Sequence, residues 1–150
     1  MGKVKILFIH SSDEMYGADL ILLQLVQSMV ERGIECIVVL PTDLPYRGEL
    51  SGALAEIPVE VIKMDLAVIR RRYFNARGLL DFTRKFVSSV RELRSLLADR
   101  EVDVVHNNTL AVLPGVVAAK LKNVPSVWHV HEIIVRPRLI WRLTSVLAAT

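Results

Sequence analysis

The feature of this sequence that most limits its fold is an alternation of short apolar runs with longer segments of helical periodicity. Five short runs dominated by apolar residues occur at 4–9, 36–40, 59–62, 102–105 and 127–130. Runs of this length and composition are typical of strands that are buried on both faces, as in parallel sheets. Because helical segments separate most of these runs, the sequence predicts βαβ units and a parallel sheet.

Five helical segments are predicted, at 19–32, 48–56, 78–99, 110–121 and 138–149. The segment 78–99 has the clearest apolar stripe, with apolar residues recurring at steps of three and four. Thr109 is a candidate cap for the segment 110–121, and Pro114 is expected to distort its first turns. Right-handed crossovers favour an α/β fold, a doubly wound Rossmann-like sheet with the strand order 3-2-1-4-5.

Composition favours one domain with a real core. The chain has 150 residues, and 52% of them are hydrophobic. No apolar run approaches the roughly 20 residues that span a bilayer, and the N-terminal residues lack a signal-peptide pattern. The single cysteine, Cys36, cannot form an internal disulfide and is expected to be a small buried hydrophobe, which fits the cytoplasm. The net charge of +3 permits anionic partners.

Polar side chains gather where the predicted strands end. All four histidines lie at the ends of strands one, four and five: His10, His106, His129 and His131. Ligands of doubly wound sheets bind beyond the carboxyl ends of the strands, where the strand order reverses. We therefore expect a functional cleft at this edge, with further polar residues on its rim: Ser11, Ser12, Asp13, Asn107, Asn108 and Glu132.

Several well-known motifs are absent from this edge. The loop after strand one has only Gly17, so it lacks the dinucleotide fingerprint and the P-loop pattern. Ser11 and Ser12 do not lie in a hydrolase nucleophile elbow. His129 and His131 share one strand face and could contribute to a zinc site, but no second tight ligand pair exists in the sequence. No metal and no cofactor are therefore predicted.

Three stretches carry a family resemblance: KILFIHSSDEMYGADLILLQLVQSMVERGIECIVVLP, DVVHNNTLAVLPGVVAAKL and PSVWHVHEI. They resemble the N-terminal domain of family-four glycosyltransferases, retaining enzymes of the GT-B fold, from Lys3 to about Leu147. The resemblance implies two Rossmann-like domains that face each other across a cleft. The N-terminal domain of this family mainly binds the acceptor, and the C-terminal domain mainly binds the nucleotide-sugar.

The family's glycine-rich first loop corresponds to Tyr16-Gly17-Ala18-Asp19, where Tyr16 stands in place of a glycine and Asp19 in place of a glutamate. Gly17 would let the backbone approach a phosphate, and the helix that follows would offer free N–H groups. Asp19 is either a first-turn helix acid or a substrate ligand. Asp13 and Glu14 are expected to be solvated or to face the acceptor.

The best single marker of the resemblance is His131-Glu132, after the fifth strand. His131 matches the family histidine that contacts the donor sugar and phosphate, so it is the candidate catalytic residue. The resemblance and the strand-end positions together give the candidate substrate-binding residues: His10, Ser11, Ser12, Tyr16, Gly17, Asp19, His106, Asn107, Asn108 and Glu132.

The resemblance implies an enzyme that moves a hexosyl group from a nucleotide-sugar to a glycan, lipid-linked or small-molecule acceptor with retention. The family's E-x7-E donor site belongs to a second domain. Residues 1–150 are therefore expected to be one truncated acceptor-side domain, inactive alone and prone to self-association. The alternative is a free-standing Rossmann-like module that binds a carbohydrate or nucleotide without catalysis.

The stretch IRRRYFNAR, residues 69–77, combines four arginines with two aromatic residues. It could contact anionic lipid at the inner face of the membrane. The alternative is a solvated loop, since charge runs are commonly solvated surface. Nucleic acid is not an expected partner, because no nucleic-acid motif is present and the positive charge is modest.

Overall fold

The computed structural model describes residues 2–130 of the chain. The strands are β1 (Lys5–Ile9), β2 (Glu35–Pro41), β3 (Glu60–Met64), β4 (Val104–Asn107) and β5 (Ser126–Trp128). The helices are α1 (Gly17–Glu31), α2 (Glu49–Leu54), α3 (Ala76–Asp99) and α4 (Pro114–Leu121), with a 3-10 helix at Arg71–Tyr73. The helix predicted at 138–149 lies outside the described residues. Within them, no helix is long and apolar enough to cross a membrane.

The five strands form one parallel sheet in the order β3-β2-β1-β4-β5. This confirms the predicted fold class and the predicted strand order. Strands β2 and β3 lie on one side of β1, and strands β4 and β5 lie on the other side. The strand order therefore reverses between β1 and β4, which is where doubly wound sheets bind ligands.

Both faces of the sheet are buried, as the apolar strands predicted. Leu7 and Ile9 of β1 belong to a core cluster that includes residues of α3 and α4. Phe8, which alternates with them, belongs to a second cluster that includes residues of α1 and α2. Alternate residues of one strand thus anchor helices on opposite faces. The free Cys36 is 5% exposed in β2, and burial raises the pKa of its thiol to about 11. The prediction of a small buried hydrophobe is confirmed.

Helix α3 confirms the predicted segment 78–99 and begins two residues earlier. Asn75 caps it by accepting a hydrogen bond from the backbone N–H of Gly78 at 2.8 Å. Gly78 packs against the 3-10 helix: a Cβ there would lie 2.6 Å from the carbonyl oxygen of Arg72 and 2.8 Å from the Cα of Tyr73. This glycine therefore lets the segment after β3 lie directly on α3.

Two predicted boundaries near β4 are wrong. Helix α4 begins at Pro114 and not at residue 110, because proline fits the first helical turn, where its missing N–H is not needed. Thr109 is not its cap; the hydroxyl of Thr109 accepts from the backbone N–H of Ala111 at 3.1 Å. Strand β4 ends at Asn107 and not at residue 105, so His106 lies within the strand and not beyond it.

Candidate functional site

The first loop, residues 10–16, connects β1 to α1 at the C-terminal edge of the sheet. It lies beside the point where the strand order reverses. Tyr16 is 73% exposed, and Gly17 has no atom near the position that a Cβ would occupy. Helix α1 begins at Gly17, so its first-turn N–H groups follow this open position. The loop therefore ends in an accessible helix start, as the resemblance implies.

A buried cluster fixes the base of the first loop. His10 is 1% exposed and Asp19 3% exposed. The Nε2 of His10 lies 3.0 Å from Asp19 Oδ1, and its Nδ1 lies 3.1 Å from Asn108 Nδ2. Asn108 Nδ2 also donates to the carbonyl oxygen of Ala18 at 3.3 Å, which identifies it as the amide nitrogen. His10 Nδ1 must therefore accept and Nε2 must donate, which fixes the tautomer of the ring.

Asp19 joins the loop to the helix. Its carboxylate also accepts hydrogen bonds from the hydroxyl of Ser12 and from the backbone N–H of Tyr16, the latter at 3.1 Å. Burial raises the pKa of Asp19, but the hydrogen bonds from His10, Ser12 and Tyr16 outweigh it and hold the pKa below its ordinary value. Asp19 is therefore an acid in the first turn of α1, which is one of its two predicted roles. A role in binding substrate stays a prediction.

Asp13 was predicted to be solvated or to face the acceptor; it is 1% exposed, so the first alternative is wrong. Its carboxylate accepts from the backbone N–H of Ser51 at 2.7 Å and from the Ser51 hydroxyl at 2.9 Å, and it pairs with Lys63 Nζ at 2.8 Å. Glu14 accepts from the backbone N–H of Arg47 at 3.3 Å. Contacts to α2 and β3 therefore hold the middle of the first loop.

Ser11 is held from the other side by a guanidinium group. Arg70, after β3, donates to the carbonyl oxygen of Ser11 at 2.7 Å and to both carboxylate oxygens of Asp43, at 3.1 and 3.2 Å. The hydroxyl of Tyr46 donates to Asp43 at 2.9 Å. Burial and the neighbouring Asp43 raise the pKa of Tyr46, despite Arg70 and Arg72 nearby, so its hydroxyl stays protonated.

The basic stretch after β3 is therefore not simply a solvated loop. Arg70 points inward, and Arg72 pairs with Asp43 at 3.3 Å and lies over the ring of Tyr73 at 4.8 Å. The neighbouring Phe74 is 59% exposed. The stretch thus has an inward part, which holds the first loop, and an exposed part.

On the other side of β1, the residues at the end of β4 and directly after it are buried, except His106, which is half-buried. Asn107, Asn108 and Thr109 are at most 1% exposed. The ring of His106 packs 5.0 Å from that of Phe8 and 5.6 Å from that of His129. These contacts place His106, which is half-buried, on the α1 face of the sheet.

The structure brings together the predicted residues at the ends of β1 and β4, since His10, Ser12, Asp19 and Asn108 form one connected cluster. Ser11, Tyr16 and Gly17 lie at its rim. His131 and Glu132 lie outside the described residues. Among residues 2–130 there is no group of three or more potential metal ligands.

Sequence reasoning missed the residues that follow β2 and β3: Asp43, Tyr46 and Arg70. They lie at the same edge of the sheet as the histidines, so the strand-end rule applied to all five strands would have found them. Their long-range partners, in contrast, carry no local sequence signal.

Comparison with solved structures supports the fold. The chain is similar to MurG of Acinetobacter baumannii (TM-score 0.66, 13% identity, 96% of this chain and 39% of that chain). It is also similar to a glycosyltransferase of Rickettsia africae ESF-5 (TM-score 0.65, 14% identity, 95% of this chain and 34% of that chain). A third similar structure is CalG4, the calicheamicin glycosyltransferase (TM-score 0.60, 19% identity, 99% of this chain and 38% of that chain). The chain spans less than two fifths of the length of each. At these identities the likeness shows a shared fold, that of one Rossmann-like half of a GT-B protein.

A family model gives the more specific result. No curated protein matches the chain, but the model described as Glycosyltransferase Family 4 matches residues 16–149. The match begins at Tyr16 and covers α1, the remaining strands and nearly all of the chain after them. The chain belongs to glycosyltransferase family 4.

Proposed function

We propose that this chain is the acceptor-side half of a retaining glycosyltransferase, which moves a hexosyl group from a nucleotide-sugar to a glycan, lipid-linked or small-molecule acceptor. The observation that carries this proposal is the first loop. Side chains from α1, α2 and the segments after β2 and β3 hold it, while Tyr16 and Gly17 stay exposed beside the switch point. A loop that is held in place before substrate binds suits a reaction in which orientation and charge stabilisation supply much of the rate enhancement.

In the proposed reaction the bond between the anomeric carbon and the leaving diphosphate breaks. The acceptor oxygen attacks the same face, and its proton passes to an oxygen of the departing diphosphate. The protein supplies positive dipoles and hydrogen-bond donors to the charge that develops on the diphosphate. We assign this role to His131 and to the first-turn N–H groups of α1, which begins at Gly17.

A second domain is proposed to bind most of the donor, because the chain spans only 34% to 39% of the length of the three solved proteins. We expect residues 1–150 alone to transfer no sugar. We also expect them to self-associate through apolar residues at 139–147, which lie outside the described residues. Light scattering that shows a monomer at high concentration would contradict the second expectation.

The exposed part of the basic stretch is proposed to touch the membrane. Phe74, Leu79 and Leu80 are 59%, 61% and 53% exposed, and the exposed side chains of Arg71 and Arg77 lie among them in sequence. Apolar side chains flanked by arginines suit the interface of an anionic bilayer. We place the reaction at the cytoplasmic face, where the free thiol of Cys36 stays reduced.

The direct experiment uses the complete gene product with a panel of UDP- and GDP-sugars and a set of polyol, glycan and lipid-linked acceptors. Proton NMR of the product reports its anomeric configuration. We expect transfer with the donor's configuration kept. An inverted product would refute retention, and tight nucleotide-sugar binding without any transfer would favour a binding module.

A further inference from the structure

Two guanidinium groups share one buried carboxylate at the C-terminal edge of the sheet. Arg70 Nε lies 3.1 Å and Arg72 Nη2 lies 3.3 Å from Asp43 Oδ2, and the side chain of Asp43 is fully buried. Arginine does not lose its charge in proteins. One carboxylate cannot neutralise two guanidinium groups, so the pair Arg70 and Arg72 keeps one net positive charge.

The nearby acids Asp65 and Asp13 each have an ammonium partner, although the charge of Asp65 also favours the charged form of Arg72. Asp65 pairs with Lys85 at 2.6 Å, and Asp13 pairs with Lys63 at 2.8 Å. Each of these carboxylates already has its own ammonium group. The charge on the guanidinium pair is therefore available to an external anion.

The pair is also held in place before any ligand arrives. Asp43, Tyr46 and the carbonyl oxygen of Ser11 engage Nε and Nη2 of Arg70. Within residues 2–130, neither Arg70 Nη1 nor Arg72 Nε donates a hydrogen bond. The side chains of Arg70 and Arg72 are 25% and 45% exposed, so little rotamer freedom is lost when their remaining donors bind a ligand.

We infer that Arg70 and Arg72 bind a phosphate or carboxylate group of the acceptor. The remaining donors, Arg70 Nη1 and Arg72 Nε, belong to different guanidinium groups, so each can give one charge-assisted hydrogen bond to such an oxyanion. The contact between Arg70 and Ser11 places the bound anion beside the first loop. The assignment of the bound anion to the acceptor rests on the proposed function, whereas the binding of an oxyanion by Arg70 and Arg72 does not.

The test is a backbone NMR titration of the complete gene product with inorganic phosphate and, separately, with acetate, at constant ionic strength. We expect saturable shifts at Arg70, Arg72 and Tyr73. Arg72→Gln should weaken phosphate binding about tenfold, and Arg70→Lys, which keeps the charge but loses the Nη1 donor and the fork that holds the side chain on Asp43, should also weaken it. Arg94→Gln, an equal charge change at an exposed site on α3, is the matched control and should change nothing.

The absence of saturable shifts with either anion, or an equal loss in Arg94→Gln, would overturn the inference. Vesicles of phosphatidylglycerol separate a lipid headgroup from a free anion, and binding to vesicles alone would overturn the acceptor assignment. Phosphate binding without sugar transfer by the complete gene product would reject the transferase and keep the site. Sugar transfer without oxyanion binding would keep the transferase and reject the anion site.

Discussion

Asp19 ties three parts of the first loop together, through hydrogen bonds from His10, Ser12 and the backbone of Tyr16. Asp19→Ala would leave these donors without their acceptor, and His10 among them is buried, so we expect the free energy of unfolding to fall by about 2–3 kcal/mol. Urea denaturation measures the loss. The matched control is Asp81→Ala, an exposed position on α3, which should change stability by less than about 0.5 kcal/mol. Equal losses in the two variants would contradict this role.

The same residue predicts a pH dependence. Burial raises the pKa of Asp19, but hydrogen bonds from His10, Ser12 and Tyr16 hold it below the ordinary value of 3.8. The ionised form is therefore favoured in the folded state, and its contribution to stability is present above 3.8 and lost as the pH falls through the folded pKa. The stability difference between wild type and Asp19→Asn should shrink below about pH 4. A difference that stays constant from neutral to acid pH would rule this out.

At the scale of the elements, two glycines in helices give opposite predictions. Alanine is intrinsically better than glycine inside a helix by up to about 1 kcal/mol. In α2 a Cβ at Gly52 meets nothing within 4 Å, so Gly52→Ala should stabilise the protein. In α3 a Cβ at Gly78 would overlap the backbone of Arg72 and Tyr73, and Gly78→Ala should destabilise by about 1–3 kcal/mol. Thermal melts of both variants test the pair, and stabilisation by Gly78→Ala would show that the 3-10 helix is not packed as described.

The elements also show what local pattern can predict. Apolar runs and helical periodicity predicted five strands and their order, because parallel crossovers allow few arrangements. The burial of Asp13 was not predictable, because Ser51 and Lys63 are distant in sequence. The start of α4 was misplaced because Pro114 was treated as a distortion and not as a first-turn residue.

At the scale of the whole molecule, the membrane contact makes a measurable prediction. The complete gene product should sediment with phosphatidylserine vesicles, and salt should weaken this binding because charge attraction is screened. Arg71→Gln together with Phe74→Ser should reduce it, while Arg94→Gln, with a similar loss of charge elsewhere on the surface, should not. Equal binding to neutral vesicles, or no binding to either kind, would exclude the contact.

The central claim is that sugar transfer takes place at the C-terminal edge of this sheet, and the two histidines that follow β5 in the sequence test it most directly. The backbone N–H of His129 donates to the carbonyl oxygen of Asn107 at 2.8 Å, and its ring packs near that of His106. These contacts give His129 a packing role. His131, two residues on, is the proposed donor to the leaving diphosphate.

The measurement is a pair of transfer rates and thermal melts for His131→Ala and His129→Ala in the complete gene product, at saturating donor. We predict that His131→Ala lowers kcat about a hundredfold, since one preorganised donor contributes roughly 3 kcal/mol, with little change in Tm. His129→Ala should lower Tm more and kcat less. Near-normal turnover in His131→Ala, or a collapse of its Tm, would contradict the account.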